Sequence, residues 1–361
     1  MKDTSKTPQE GDSLEKTIFQ KYLPQISKII PGAETLSTAK VKQIGEWWSD
    51  GTRSITRIYE SRGAYALKRQ HYIIQFIPDE HTEDALIKRA INDVFSRHDN
   101  LKDLFAKARG YEKAPDGHIF VYDPEWSKTL YGQLEDRNEK IEDASLIHFL
   151  DPVIALHSSE KKYVSEIEQR LSELSKDSDV KVSALEKLTS EDYTSKVLNY
   201  CGVKNPEFKG LLQEKFNGLF QKYFMNENLQ ALVQHDGYPW NITGERMIDP
   251  GDMKFGPRVM HLGCLLGHPS VFNRIRNRVK GIDRILEYYT NCSGKQKFFE
   301  EIRGGFYLAS FYANYRLTLG DTFNESIKRK LKRTALRQIR ILSKTDRDAE
   351  IVHDLIIKDS K

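Results

Sequence analysis

The 361 residues carry 56 basic and 52 acidic side chains, for a net charge of +4. That balance gives no strong nucleic-acid footprint, and the length is enough for two packed lobes. No run approaches the roughly 18 apolar residues of a spanning helix, so no membrane segment is expected.

The polar opening MKDTSKTPQEGDS lacks the apolar core of a secretory signal, and residues 1–20 are expected to form a disordered leader. Residues 21–125 read as a mostly β lobe. VKQIGEWW alternates in the strand manner and leads into the polar turn SDGTR (Ser49 to Arg53). SITRIYE, the turn SRG and AYALKRQ then complete three antiparallel strands. A period of two puts Ala66 and Lys68 on one face of that third strand, with Tyr65 and Leu67 on the other. In TEDALIKRAINDVFSRH, Ile87, Ala90, Ile91 and Val94 fall at helical spacing behind a Thr cap. The turn Pro115 to Gly117 opens a compact apolar strand, HIFVYDP.

Residues 126–345 read as a largely helical lobe, and 346–361 as a C-terminal tail. DASLIHFLDPVIALHSS, YVSEIEQRLSELSK and LLQEKFNGLFQKYF carry helix-like spacing, and further helices include KQKFFEEIRGGFYLASFYANYR and SIKRKLKRTALRQIRILSK. The basic run Lys328 to Arg340 reads as a solvated helix face, and nucleic acid is not an expected partner. Cys201, Cys264 and Cys292 have no short spacing, so they form neither a disulfide framework nor a zinc pattern. A reducing, cytoplasmic compartment follows.

Between Ala231 and Gly256 the helical pattern gives way to short strands and turns, and this insert holds the chemistry. Asn241 follows Asp236 by five residues, and Asp249 comes after the tight turn TGER. Phosphoryl transfer needs one carboxylate to orient or deprotonate an acceptor hydroxyl, plus oxygen ligands for magnesium on the phosphates. An Asp and an Asn on one loop, with a second Asp at the end of the next hairpin, can supply that set. The scattered histidines show no zinc spacing such as HExxH.

ALVQHDGYPWNI resembles the catalytic loop of the aminoglycoside and choline phosphotransferases, written HGDxxxxN, and MIDPGDMKFGP resembles their metal-binding segment. The resemblance implies an α+β, two-lobed protein-kinase-like fold, with a small antiparallel β N-lobe, a mainly helical C-lobe and ATP between them. It implies Asp236 as catalytic base and Asn241 and Asp249 as Mg2+ ligands, with Asp252 at a frequent acidic position. AYALKRQ resembles the VAIK-type strand, which makes Lys68 the cation on the ATP phosphates. The SDGTR turn becomes the phosphate-covering loop, through Ser49, Gly51 and Thr52. HIFVYDPEW resembles the strand leading into the hinge, where backbone groups near Tyr122 bond the adenine edge. The acid that pairs with Lys68 stays open between Glu83 and Asp93. VIALHS resembles a helix end of the family, which makes His157 structural. Three positions depart from the pattern: Gln234 replaces the family's His, His235 its Gly, and His261 the loop-anchoring Asp.

The expected activity is a Mg-ATP-dependent phosphotransferase acting on a hydroxyl of a small-molecule acceptor. The alternative is a catalytically impaired kinase-like ATP-binding or regulatory protein, favoured by Gln234, His235 and His261. A cationic acceptor would draw on Asp252 and the acidic residues within 186–208. Trp240, inside the loop, is the expected ligand-stacking aromatic, whereas the 298–315 helix, with Phe299, Ile302 and Phe306 at helical spacing, is expected to be core.

Overall fold

A computed structural model describes residues 21–30, 33, 40–43, 54–59, 71–123, 129–135, 140–159, 161–248, 250, 252–319 and 323–359. The chain forms two units, one of residues 1–92 and 106–126, the other of 93–105 and 127–361.

In the first unit, helix α1 (Leu23–Ile29) precedes strands β1 (Lys40–Gln43), β2 (Ser54–Tyr59) and β3 (His71–Pro78). Helix α2 (Thr82–Phe95) follows, then β4 (Ala108–Ala114) and β5 (Gly117–Tyr122). The strands make one antiparallel sheet in the order β1-β2-β3-β5-β4. Alternation along β5 divides the apolar residues between two faces. Ile119 and Val121 pack with Ile74, Tyr22 and Ile26, on the face that α1 covers. Phe120 and Tyr122 pack with Ile77 and Ala85, on the face that α2 covers. Each of these buried aliphatic side chains stabilises the unit by about 1.5–3 kcal/mol. The Tyr22 hydroxyl fixes the start of α1 by donating to Asp116 Oδ1 at 2.7 Å.

The expected strand AYALKRQ, with Lys68, lies outside the described residues. The described β3 pairs with β2 from Tyr59 opposite His71 to Ser54 opposite Phe76, and HYIIQFIP has the aromatic and β-branched content that suits a central strand.

The second unit is helical apart from one hairpin. Its helices are α3 (Leu130–Glu135), α4 (Ala144–Ile147), α5 (Asp151–His157), α6 (Lys161–Leu174), α7 (Ser190–Cys201) and α8 (Pro206–Phe224). Strands β6 (Gln230–Gln234) and β7 (Met253–Pro257) come next. They are followed by α9 (Arg258–Gly267), α10 (Pro269–Phe272), α11 (Arg278–Cys292), α12 (Phe299–Arg316), α13 (Glu325–Leu342) and α14 (Arg347–Asp359). Helix α12 is the centre of the core. Almost every residue from Ile302 to Tyr315 is buried, as expected of a helix with no polar face. Helix α9 packs against it so closely that a Cβ on Gly263 would lie 2.7 Å from the Ala309 Cβ. The basic α13 buries Leu331, Thr334, Ala335, Gln338, Ile339 and Leu342 along one stripe. Residues 347–359, read from the sequence as part of a tail, form α14, with Ala349, Val352, Leu355 and Ile356 buried. The Asp359 carboxylate accepts from the amides of Lys204 and Asn205, tying that helix end down. Among the described residues no helix is long and apolar enough to cross a membrane. The three cysteines are unpaired.

Candidate active site

Strands β6 and β7 pair from Gln230 opposite Pro257 to Gln234 opposite Met253, so residues 235–252 form the loop that closes this hairpin. The His235 amide donates to the Asp252 carbonyl at 3.0 Å and the Gly237 amide to the Gln234 carbonyl at 3.1 Å, which fixes the base of the loop. Further along, Pro239–Asn241 make one 3-10 turn. Ile242 then pairs antiparallel with Met247, and the Thr243 amide donates to the Arg246 carbonyl at 2.8 Å. The tight turn expected at TGER is present.

This folding brings Asp236 and Asn241 together. The Asn241 amide nitrogen Nδ2 donates to the Asp236 carbonyl at 2.7 Å and to Asp236 Oδ2 at 3.0 Å. The Ile248 amide donates to the Asn241 carbonyl at 2.9 Å, so the chain returns beside Asn241 one residue before Asp249. Asp249 itself lies outside the described residues, as do Lys68, Ser49, Gly51 and Thr52. Among the described residues no group of three or more His, Cys, Asp or Glu could hold a metal ion. The donors that the loop offers are a carboxylate and a carboxamide oxygen, hard ligands that suit magnesium rather than zinc.

Asp252 is occupied by other work. It takes a left-handed backbone conformation, φ 53°, which Asp tolerates better than most residues. Its carboxylate is 3.3 Å from Lys254 Nζ and 3.5 Å from the Arg316 guanidinium. Burial pushes the Asp252 carboxyl up, and the charges of Lys254 and Arg316 outweigh it, leaving it below the usual carboxylate range. Lys254 also pairs with Glu186. The acidity expected around 186–208 and Asp252 is therefore partly neutralised by two cations the sequence reading had not connected to it. Arg316 donates to the His235 carbonyl at 3.4 Å as well, and so braces the residue before Asp236.

The three histidines around the loop are neutral and buried. Burial pushes His235 and His261 each down to about 3, and His157 well below its ordinary value. His157 Nδ1 meets the Tyr289 hydroxyl at 2.7 Å, in keeping with a structural role. The His261 ring lies against Gly237, where a Cβ would come within 2.3 Å of its Cδ2. The His261 imidazole thus supports the loop by contact. The ring nitrogens of His261 have no hydrogen-bond partner among the described residues.

Trp240 stacks on Tyr238, with ring centroids 4.8 Å apart, and meets Tyr131 and His268 edge-on. Packing therefore accounts for much of this ring. Tyr307, Tyr312 and Tyr315 are core residues, each at most 3% exposed.

In the first unit, Tyr122 ends β5, between Ile73 of β3 and Ala108 of β4. The amide of Asp123 is already bonded to the Lys107 carbonyl at 2.9 Å. Of the two acids proposed for the helix, Glu83 is exposed and Asp93 pairs with Arg170 at 2.7 Å; Lys68, their expected partner, lies outside the described residues. Lys88 of α2 also reaches β3. It is fully buried and donates from Nζ to Gln75 Oε1 at 2.9 Å. Gln75 shares the α2-facing side of β3 with Ile77, two residues on. The sequence carried a signal for this pair, because Gln75 is the one polar residue inside YIIQFI.

No family model matches the chain, and no curated protein matches it at a significant level. Among solved structures it is similar to one described as a fructosamine-3-kinase from Haemophilus somnus 129PT, at 10% identity over 95% of this chain and 99% of that one, with a TM-score of 0.49. It is also similar to an aminoglycoside-3'-phosphotransferase of type VIII, at 11% identity over 80% and 98% of the two chains and a TM-score of 0.44. A third is the aminoglycoside phosphotransferase APH(3'')-Id of Streptomyces rimosus, solved with ADP and streptomycin, at 10% identity over 78% and 98% and a TM-score of 0.45. At these scores the likeness carries no argument about activity, which rests on the residues.

Proposed function

We propose that this chain is a phosphotransferase that moves the γ-phosphoryl group of ATP to a hydroxyl of a small acceptor. The observation that carries the reading is the pairing of Asp236 with Asn241 on one short loop, with Asn241 Nδ2 3.0 Å from Asp236 Oδ2. That bond orients the Asp236 carboxylate, the group that would accept the acceptor's proton or hold its oxygen in line. Asn241, through its carboxamide oxygen, and Asp249 are the residues that would hold magnesium. Bound magnesium supplies charge neutralisation on the phosphates.

Two lysines compete for the role of the cation on the phosphates: Lys68, before β3, and Lys88, on α2. The reading favours Lys88, because it meets Gln75 on β3 at 2.9 Å, the strand on which a kinase carries its lysine. Since Lys254 and Arg316 pair with Asp252, a neutral or anionic hydroxylated acceptor suits the loop better than a polycation.

A second reading is a kinase-like ATP-binding or regulatory protein with little catalysis. Gln75 in the strand and His261 against Gly237 favour it. Calorimetry of ATP binding by the full chain, with and without magnesium, tests the first reading. Magnesium-dependent binding that Asp249→Ala abolishes supports it, and absence of ATP binding overturns it. Binding without any ATP turnover leaves the second reading in place of the first.

A further inference from the structure

Against the β6–β7 hairpin lies a cavity of about 210 Å³ that nothing in the phosphotransferase reading uses. Two cations converge on it. Arg258, the first residue of α9, is only 7% exposed, and its Nε and Nη1 have no hydrogen-bond partner among the described residues. Lys295, in the turn before α12, is half-buried on the same lining.

Among the described residues the charges are not balanced from within: Glu227 is the one acid on the described lining, and it is exposed and makes no ion pair with either cation. His157, close enough to feel the Arg258 charge, is buried and neutral. The Tyr289 hydroxyl, shared with His157, also interacts with the Arg258 guanidinium but brings no formal charge. Burial and the Arg258 charge both hold the Lys295 ammonium below its ordinary range, so each cation raises the cost of the other. A guanidinium does not deprotonate to escape such a site. Buried N–H groups without acceptors are rare in folded proteins because their lost hydration must be replaced.

We propose that this cavity binds a small oxyanion, either inorganic phosphate or the phosphate group of a monoester, held between Arg258 and Lys295. A tetrahedral oxyanion brings negative charge and several acceptor oxygens to a lining that carries two cations. The cavity is also lined by Gln230 of β6 and Phe255 of β7, so an anion there ties the outer end of the hairpin to the turn before α12. The proposal does not depend on the phosphotransferase reading.

The test uses the full chain in Tris chloride at constant ionic strength, without nucleotide. Inorganic phosphate and glycerol 3-phosphate are titrated in parallel by calorimetry and by thermal unfolding. The expected result is saturable binding of phosphate with a rise in Tm, and about tenfold weaker binding in both Lys295→Gln and Arg258→Gln. Binding of phosphate alone assigns the cavity to the free anion, and binding of both probes assigns it to the phosphate group of an ester. If Arg258→Gln does not fold, Lys295→Gln, at a half-buried position, carries the test. Absence of saturable binding, or full binding retained in Lys295→Gln, overturns the proposal.

Discussion

Lys88 of α2 donates to Gln75 of β3 across a fully buried contact of 2.9 Å, so the helix carries the cation and the strand a neutral acceptor. Lys88→Met removes the donor and leaves the Gln75 amide oxygen without it, which costs about 1–3 kcal/mol of stability. If Lys88 is the cation on the phosphates, the same substitution weakens Mg-ATP binding more than Lys68→Ala does. Urea denaturation reads the first effect and calorimetry the second. A larger loss in Lys68→Ala returns the role to the strand-leading segment.

Removing the charge of Asp236 separates chemistry from binding. Asp236→Asn is expected to lower kcat by about 10²–10⁴ while ATP affinity changes little, because the group acts on the acceptor hydroxyl. The check is ATP turnover against a panel of hydroxylated acceptors, with ATP affinity measured on the same preparations. Equal turnover in the variant and the natural chain would remove Asp236 from the mechanism.

Gly237 is constrained by its neighbour. A Cβ there would sit 2.3 Å from His261 Cδ2 and 2.9 Å from the Gln234 carbonyl oxygen. Gly237→Ala should therefore destabilise the second unit by about 1–3 kcal/mol. His261→Ala opens space on the side-chain side only, so the double variant should recover part of that loss. A double-mutant cycle in urea measures the coupling, and strict additivity would show that the contact is unimportant.

Stability should fall on mild acidification. Burial holds His235, His261 and His268 each down to about 3, and His118 to about 4. Their unfolded value is about 6.5, so below that pH the unfolded chain binds protons that the folded chain refuses. Stability is full above pH 6.5 and declines as pH falls toward the folded values. The slope is about 1.4 kcal/mol per pH unit for each histidine. Denaturant midpoints between pH 7.5 and 4.5 test this, and His261→Leu should make the decline shallower by one histidine. A flat profile over that range would contradict the burial of these rings.

The segment from Gln230 to Pro257 was legible because its chemistry is local. Asp236 and Asn241 are five residues apart, the turn at TGER carries its own hydrogen bonds, and short apolar runs flank the loop as β6 and β7. The amphipathic spacing of α2 and α6 and the apolar run of β5 were equally visible, since period and composition are properties of neighbouring residues. The strand at HYIIQFIP was not read from the sequence, and its central place is set by pairing with β2 on one side and β5 on the other.

What the sequence determined by itself, then, is the hairpin loop with its Asp and Asn, and the succession of a β-rich segment and helices. The tertiary structure alone decided which distant residues meet. Lys88 reaches Gln75, Lys254 and Arg316 take up Asp252, His261 underlies Gly237, and Arg258 is buried beside Lys295. Spacing along a chain encodes local geometry, but a partner 13 or 64 residues away is chosen by which faces of strand and helix are buried against one another. No local pattern records that choice.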